Sequence, residues 1–179
     1  MTKDEIDIII LGLLMNGPKH GYQLKQNVQG DYLKHFVSIS VGSLYTRLSK
    51  FEAEGLIEGK LEPQDKMPDR TVYYITKAGK KRLKELVATP VDISGVLFLD
   101  MNSFVTHAIF FDHIGKKERI GVIEPYYSHI QAEIKHAAVS QATSAMHGIT
   151  FSNLEMHTLG MGKNILEDIA RYLEELRDL

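Results

Sequence analysis

Apolar residues recur at helical spacing from the start of the chain: Ile6, Ile9, Ile10, Leu13 and Leu14 place a stripe on one face of a first helix. Thr2-x-x-Glu5 opens that helix as a capping box, the Thr oxygen accepting an orphan N–H while the Glu reaches back. Asn16-Gly17-Pro18 stops it. A second helix spans roughly residues 19–29, with Tyr22, Leu24 and Val28 as core candidates, and ends at Gly30-Asp31. Ser38-Ile39-Ser40 leads into a third, capped by Ser40 or Ser38. There Leu44, Leu48 and Phe51 stand at i, i+4 and i+7 and face the core, while Ser43, Thr46, Arg47 and Lys50 are expected on the opposite face. Gly55 suits the position just past a helix end.

The period then changes. Leu56 to Glu62 reads as a strand, Pro63 to Asp69 as a polar loop, and Thr71-Val72-Tyr73-Tyr74-Ile75 as the returning strand. Thr76 caps a fourth helix, Lys77 to about Val87. That order of elements is a winged helix-turn-helix, with the loop as wing and the third helix as the element that enters a major groove. Thr89-Pro90 breaks the chain and is the expected boundary between domains at 1–89 and 90–179. Residues 93–111 are strongly apolar and predict one or two buried helical pieces, with strand as the alternative. From Lys116 a helix carries Ile123, Tyr127, Ile130, Ile134 and Ala137 at 4-3-4-3 spacing, a heptad seam. Pro125 inside it either kinks the helix or opens a second one. Ser152-x-x-Glu155 is another capping box, and the last helix carries Leu159, Gly162, Leu166, Ile169, Leu173 and Leu176 at 3-4-3-4-3 spacing. The expected fold is therefore mainly α: a winged helix with a two-stranded wing, then a helical dimerisation domain. Ile130, Ile134, Leu159, Leu166, Ile169, Leu173 and Leu176 form the expected homodimer interface.

Three stretches resemble the PadR family of bacterial transcriptional regulators. They are Ile10-Leu11-Gly12-Leu13-Leu14 with Gly17 to Lys25, Ser40-Val41-Gly42-Ser43-Leu44-Tyr45 with Leu48 and Phe51 to Ile57, and Val72 to Gly79. Together they cover about residues 6–84 in the family's order and spacing. The resemblance implies dimeric repressors whose C-terminal helices exchange contacts, some of them responding to phenolic acids or aromatic drugs. The long tail resembles the larger subfamily with several C-terminal helices. Thr46 stands where the family often has Pro, and Lys66-Met67-Pro68-Asp69-Arg70 replaces its Gly-Arg-rich wing tip.

Composition narrows the setting. The chain has no cysteine, so disulfides and thiolate metal sites are excluded. No apolar run approaches the roughly 18 residues of a membrane span, and the polar, acidic start is unlike a signal peptide. A cytoplasmic protein without membrane contact is expected. The net charge of −2 divides into +3 over residues 1–89 and −5 over 90–179. Only the first half is then suited to approach a polyanion.

Double-stranded DNA, as an inverted repeat read by a dimer, is the expected partner. On the third helix Arg47 is expected to read a guanine edge, with Lys50 beside it. Ser40, Ser43 and Thr46 would supply hydroxyls and the helix cap, and the resemblance implies a backbone or thymine contact for Tyr45. His20, Tyr22 and Lys25 on the second helix, and Lys60, Lys66 and Arg70 on the wing, are expected at phosphates. Tyr126, Tyr127, Met146, Met156 and Met161 are candidate walls of a small aromatic effector's cavity. His129 and His136 stand seven apart, too far for two ligands of one ion, so no metal and no cofactor is expected. Asp100, Ser103 and His107 share a helical face, but no GxSxG elbow accompanies them and no enzyme is expected. The function expected is a sequence-specific DNA-binding transcriptional regulator, a repressor released by a small aromatic effector. The alternative is a winged-helix protein-interaction module without DNA binding.

Overall fold

The computed structural model describes residues 2–30, 39–64, 67–94, 97–146 and 152–179. It divides into two units, Met1–Gly115 and Lys116–Leu179. The division falls at Gly115 rather than at Thr89-Pro90, because the apolar stretch after Pro90 forms a helix that packs on the first helix of the chain.

In the first unit, α1 (Lys3–Met15) starts at the expected capping box: Glu5 N–H donates to Thr2 Oγ1 at 3.2 Å and Thr2 N–H to Glu5 Oε2 at 2.7 Å. Ile8, Ile9, Ile10, Leu11 and Leu14 are all buried, so the helix is enclosed on more than the one face its periodicity suggests. The neighbours that enclose it are α2 (Gly21–Gln29), β3 (Met67–Ile75), α4 (Lys77–Val87) and α5 (Leu97–Ala108). Gly12 lets the Phe110 ring lie against the helix backbone, where a Cβ would clash with that ring.

α3 (Val41–Ala53) begins at Ser40, whose Oγ accepts from Ser43 N–H at 3.1 Å. Leu44, Leu48 and Phe51 are buried as expected. Gly55, at φ +69°, turns the chain out of α3 in the left-handed conformation that glycine adopts without steric cost. Thr76 Oγ1 donates toward the carbonyls of Gly55 (2.8 Å) and Leu56 (3.1 Å) and accepts from Gly79 N–H, so the cap of α4 also anchors the start of the wing.

The sheet is three-stranded and antiparallel, in the order β1-β3-β2. β2 (Ile57–Gln64) and β3 form the wing, pairing from Ile57↔Ile75 to Gln64↔Met67 with an irregularity between Glu62 and Gln64. Strand pairing therefore takes up most of the expected loop. The short β1 (Lys19–His20) pairs Lys19↔Tyr73 and His20↔Val72, and no sequence pattern announced it. After α5 comes a short 3₁₀ turn, Phe111–His113.

The second unit is an antiparallel hairpin of α6 (Lys116–Met146) and α7 (Asn153–Asp178). Pro125 lies inside a continuous α6 and opens no new helix. Its ends are tied by Lys116 Nζ to the Asp178 carbonyl at 3.3 Å and Arg177 to Glu124 at 3.4 Å. Tyr127 Oη donates to Glu174 at 2.6 Å. Val122, Ile123, Tyr126, Ile130, Ala170 and Leu173 are buried near that end. Toward the other end Val139, Met146, Leu154, Leu159 and Met161 are exposed. No helix among the described residues is long and apolar enough to cross a membrane.

Candidate nucleic-acid interface

α3 presents an outward strip that starts at its cap. Ser40 Oγ lies 2.9 Å from Ser43 Oγ, and Ser43, Tyr45, Thr46 and Lys50 are all exposed. Lys50 Nζ is 3.3 Å from Glu54 one turn on, an exposed pair that a phosphate can displace at little cost. The cap leaves further α3 N–H groups at a helix start, where the partial positive charge favours anions.

α2 is placed beside this strip by β1 and by its own cap. His20 Nδ1 accepts from Gln23 N–H at 3.2 Å while Gln23 Oε1 accepts from His20 N–H at 3.1 Å, a capping box with imidazole in the usual serine role. With Nδ1 accepting, a neutral His20 carries its hydrogen on Nε2, where it can donate. The His20 ring stacks on Tyr22 at 6.4 Å, and Lys25 Nζ sits 6.0 Å from the same ring. Tyr22, a core candidate on periodicity, is 57% exposed and belongs to this surface group. The Tyr45 ring packs against Gly21, where a Cβ would come within 2.7 Å of it, so α2 and α3 approach closely through a glycine.

The wing's cations are held among carboxylates. Lys60 Nζ lies 3.6 Å from Glu58 and 5.2 Å over the Tyr74 ring, and Arg70 lies 3.3 Å from Glu62. Lys66 lies outside the described residues. Tyr73, on β3 of the wing, has its hydroxyl pKa pushed up by burial first, then by Glu52 and Tyr45 of α3. It therefore stays protonated, and a donor, near neutral pH.

Arg47 departs from expectation. It is 8% exposed, and its guanidinium turns inward to α1 rather than outward with Lys50. Nε donates to Asp7 Oδ1 at 2.6 Å, Nη2 donates to the same oxygen, and Nη2 also reaches the Lys3 carbonyl at 3.4 Å. The guanidinium covers the Phe51 ring at 5.5 Å. An inward Arg47 so engaged is not placed to read a base edge.

The remaining candidates separate. Tyr126 is buried and Tyr127 is bonded to Glu174 and Gln131, whereas Met146, Met156 and Met161 are exposed. Along α6, Met146 is about 28 Å from Tyr127 at 1.5 Å rise per residue, so the five do not line one cavity in one chain. Ser103 Oγ donates to Glu5, His107 Nδ1 lies 2.8 Å from the Ser103 carbonyl, and Asp100 accepts from Ser94 at 2.6 and 2.8 Å. The three residues thus serve separate packing contacts and do not relay to one another. Burial pushes the His107 pKa down, against the upward pull of Ser103, Glu5 and Asp4. Of the seam residues, Ile130 and Leu173 are buried, Ile134, Leu166, Ile169 and Leu176 are half-buried, and Leu159 is 50% exposed. No cluster of metal-ligating side chains occurs among the described residues.

Residues 10–85, from the middle of α1 to near the end of α4, match the model of the transcriptional regulator PadR-like family. That match covers less than half of the 179 residues, and over it the chain is similar to the PadR-like family. A transcriptional regulator of the helix-turn-helix type from Pyrococcus abyssi is 26% identical over 143 residues, covering 68% of this chain and 92% of that protein. An uncharacterised protein from Lysinibacillus sphaericus is 27% identical over 101 residues, covering 56% of this chain and 92% of that one. Among solved structures, Bacillus subtilis PadR in complex with operator DNA is 21% identical at a TM-score of 0.48, covering 96% of this chain and 95% of that one. The protein smu.1604c from Streptococcus mutans UA159 is also 21% identical, at a TM-score of 0.45, covering 98% of each chain. The similarity to the family falls on the winged helix, while α6 and α7 lie beyond the matched residues.

Proposed function

We propose that this chain is a PadR-like regulator, a dimeric, sequence-specific DNA-binding repressor that seats α3 in the major groove. The observation that carries the reading is the continuous polar strip of Ser40, Ser43, Thr46 and Lys50, flanked by the His20–Tyr22–Lys25 group. Hydroxyls and the α3 cap meet bases and phosphates, and Lys25 and Lys50 supply charge. Lys60 and Arg70 on the wing, in exposed pairs like that of Lys50, add further charge that a phosphate can recruit. The apolar side chains exposed along α6 and α7 support a homodimer, which sets two α3 helices about 34 Å apart on an inverted repeat.

Release by a small effector is the finer part of the reading. Its support is a cavity of about 330 Å³ beside α1 and α5, with Glu5, Leu86, Pro90, Val91, Asp100 and His107 in its walls. Carboxylates in the wall favour a neutral or cationic aromatic over a phenolic acid. An effector acts only through unequal affinity for the DNA-bound and free arrangements. Titrating aromatic amines and phenolic acids into the protein–DNA complex tests this: DNA affinity unchanged by both removes the effector from the reading.

Fluorescence anisotropy with a duplex selected by the protein from a random library tests the DNA reading itself. Lys25→Ala is expected to weaken all duplexes alike and to lower the salt slope by about one. A wild-type protein that ignores duplex DNA even at about 50 mM salt overturns it in favour of a winged helix used for protein contacts.

A further inference from the structure

We infer that the buried Asp7–Arg47 pair is the positioning element of α3, setting how that helix is rotated about its axis and hence which side chains meet DNA. The inference rests on the DNA-binding reading above. Asp7 and Arg47 are 7% and 8% exposed, and they join helices separated by 40 residues of sequence. At the surface, near the far end of α3, Glu52 Oε1 accepts from the Gly59 N–H of the wing at 3.1 Å. The other buried α3 side chains are Leu44, Leu48 and Phe51, whose apolar contacts are non-directional and tolerate a small rotation or slide. The ion pair does not. Two guanidinium nitrogens converge on one carboxylate oxygen, a third contact reaches the Lys3 carbonyl, and the Phe51 ring backs the guanidinium plane. Each contact is directional and charge-assisted in a place from which water is largely excluded.

The consequence for recognition is geometric. Successive α-helical residues are turned by about 100°, so even a fraction of one step moves Ser43, Thr46 and Lys50 off their target. Major-groove hydrogen bonds tolerate little displacement. Phosphate attraction falls off gradually with distance and tolerates more. Loosening the pair therefore lowers discrimination between sequences while leaving non-specific binding and its salt dependence in place. A base-reading Arg47 gives a different pattern, because Asp7 then has no part in recognition.

The test compares wild type, Asp7→Asn, Arg47→Lys, Arg47→Met and the double variant Asp7→Leu/Arg47→Met. Each is measured by anisotropy on the wild-type-selected duplex and on a scrambled duplex, with the active fraction fixed by stoichiometric titration. The double variant replaces the pair by apolar groups of similar size, an exchange that tends to preserve stability, and so keeps the test open if a single variant unfolds. We expect Asp7→Asn and Arg47→Met each to lose about tenfold on the selected duplex, with the double variant no worse than either. The scrambled duplex is expected to bind as before, its salt slope moving by less than the about 0.9 that one phosphate contact contributes. Arg47→Lys, which keeps the charge and loses the fork, should fall between. Loss in Arg47→Met with wild-type binding in Asp7→Asn overturns the proposal in favour of base reading. Wild-type discrimination in the folded double variant reduces the pair to packing and overturns it equally. A wild type that selects no duplex overturns the DNA reading beneath it, a result distinct from both.

Discussion

The two units bury their apolar residues in opposite ways. In Met1–Gly115 the large apolar side chains close on one another: α1 is enclosed by four elements, and Phe51, Leu48 and Leu83 are essentially inaccessible. In Lys116–Leu179 two helices of 31 and 26 residues have only each other within the unit, and a pair of helices encloses neither. Exposure follows: Met146 is 87%, Leu154 76% and Met161 58% exposed. The first unit encloses a core within a single chain, while the second leaves much of its apolar surface exposed, and on that surface the proposed dimer rests. If the proposed dimer forms there, stability and assembly lie in different parts of the chain, and substitutions should separate them.

The largest effect belongs to the closed core. Phe51→Ala removes a ring that is 1% exposed and backs Arg47, and it is expected to cost about 3–5 kcal/mol in urea unfolding. Met161→Ala removes an exposed side chain and should leave the unfolding of a dilute, monomeric sample unchanged. Comparable losses at the two positions would erase the contrast between the units.

Next comes assembly. Leu166 is half-buried on α7, between the exposed Leu159 and the buried Leu173. Leu166→Asp places a charge on the seam and is expected to weaken association by about 2 kcal/mol or more. Light scattering should then report a monomer with unchanged winged-helix stability. A variant that remains dimeric moves the interface elsewhere.

The same contrast governs what the sequence revealed. Local chemistry was legible: Thr2 with Glu5, Ser40, Thr76, and Ser152 with Glu155 all cap the helices they announce, because a cap is decided within four residues. The buried stripe of α3 was legible for the same reason. Arg47 was read as outward because it is charged, yet it stands i+3 from Leu44 and i−4 from Phe51, within the apolar stripe. Asp7 stands likewise beside Ile10 and Leu14 on α1. Opposite charges inside two apolar stripes are the signal of a buried pair, and neither stripe alone says which helix supplies the partner. β1 was hidden because two residues have no period. The wing is longer than its prolines suggested, since strand pairing runs on to Gln64 and Met67. The break at Pro90 was visible, but only tertiary packing of α5 against α1 carries the first unit on to Gly115.

The smallest expected effect concerns pH, and it sharpens the comparison because it should act on the first unit. His107 is 8% exposed on α5, and its protonation is opposed by burial, with the Ser103 carbonyl, Glu5 and Asp4 pulling the other way less strongly. Its pKa in the fold therefore lies below the ordinary 6.5. In the unfolded chain the imidazole takes up its proton near that ordinary value. Above it both states are neutral and His107 adds no pH dependence. Below it the unfolded state holds more protons than the folded one, so stability declines as pH falls toward the folded pKa. Urea unfolding of the wild type should weaken between pH 7.5 and pH 5.5, a window chosen above the ordinary carboxylate range of roughly 4. His107→Gln, which keeps a polar side chain without a titrating group, should flatten that decline. The Leu166→Asp monomer should keep it, because the titrating group sits in the closed unit rather than in the hairpin. If the decline survives in His107→Gln, the proton uptake lies elsewhere and the buried imidazole is not its source.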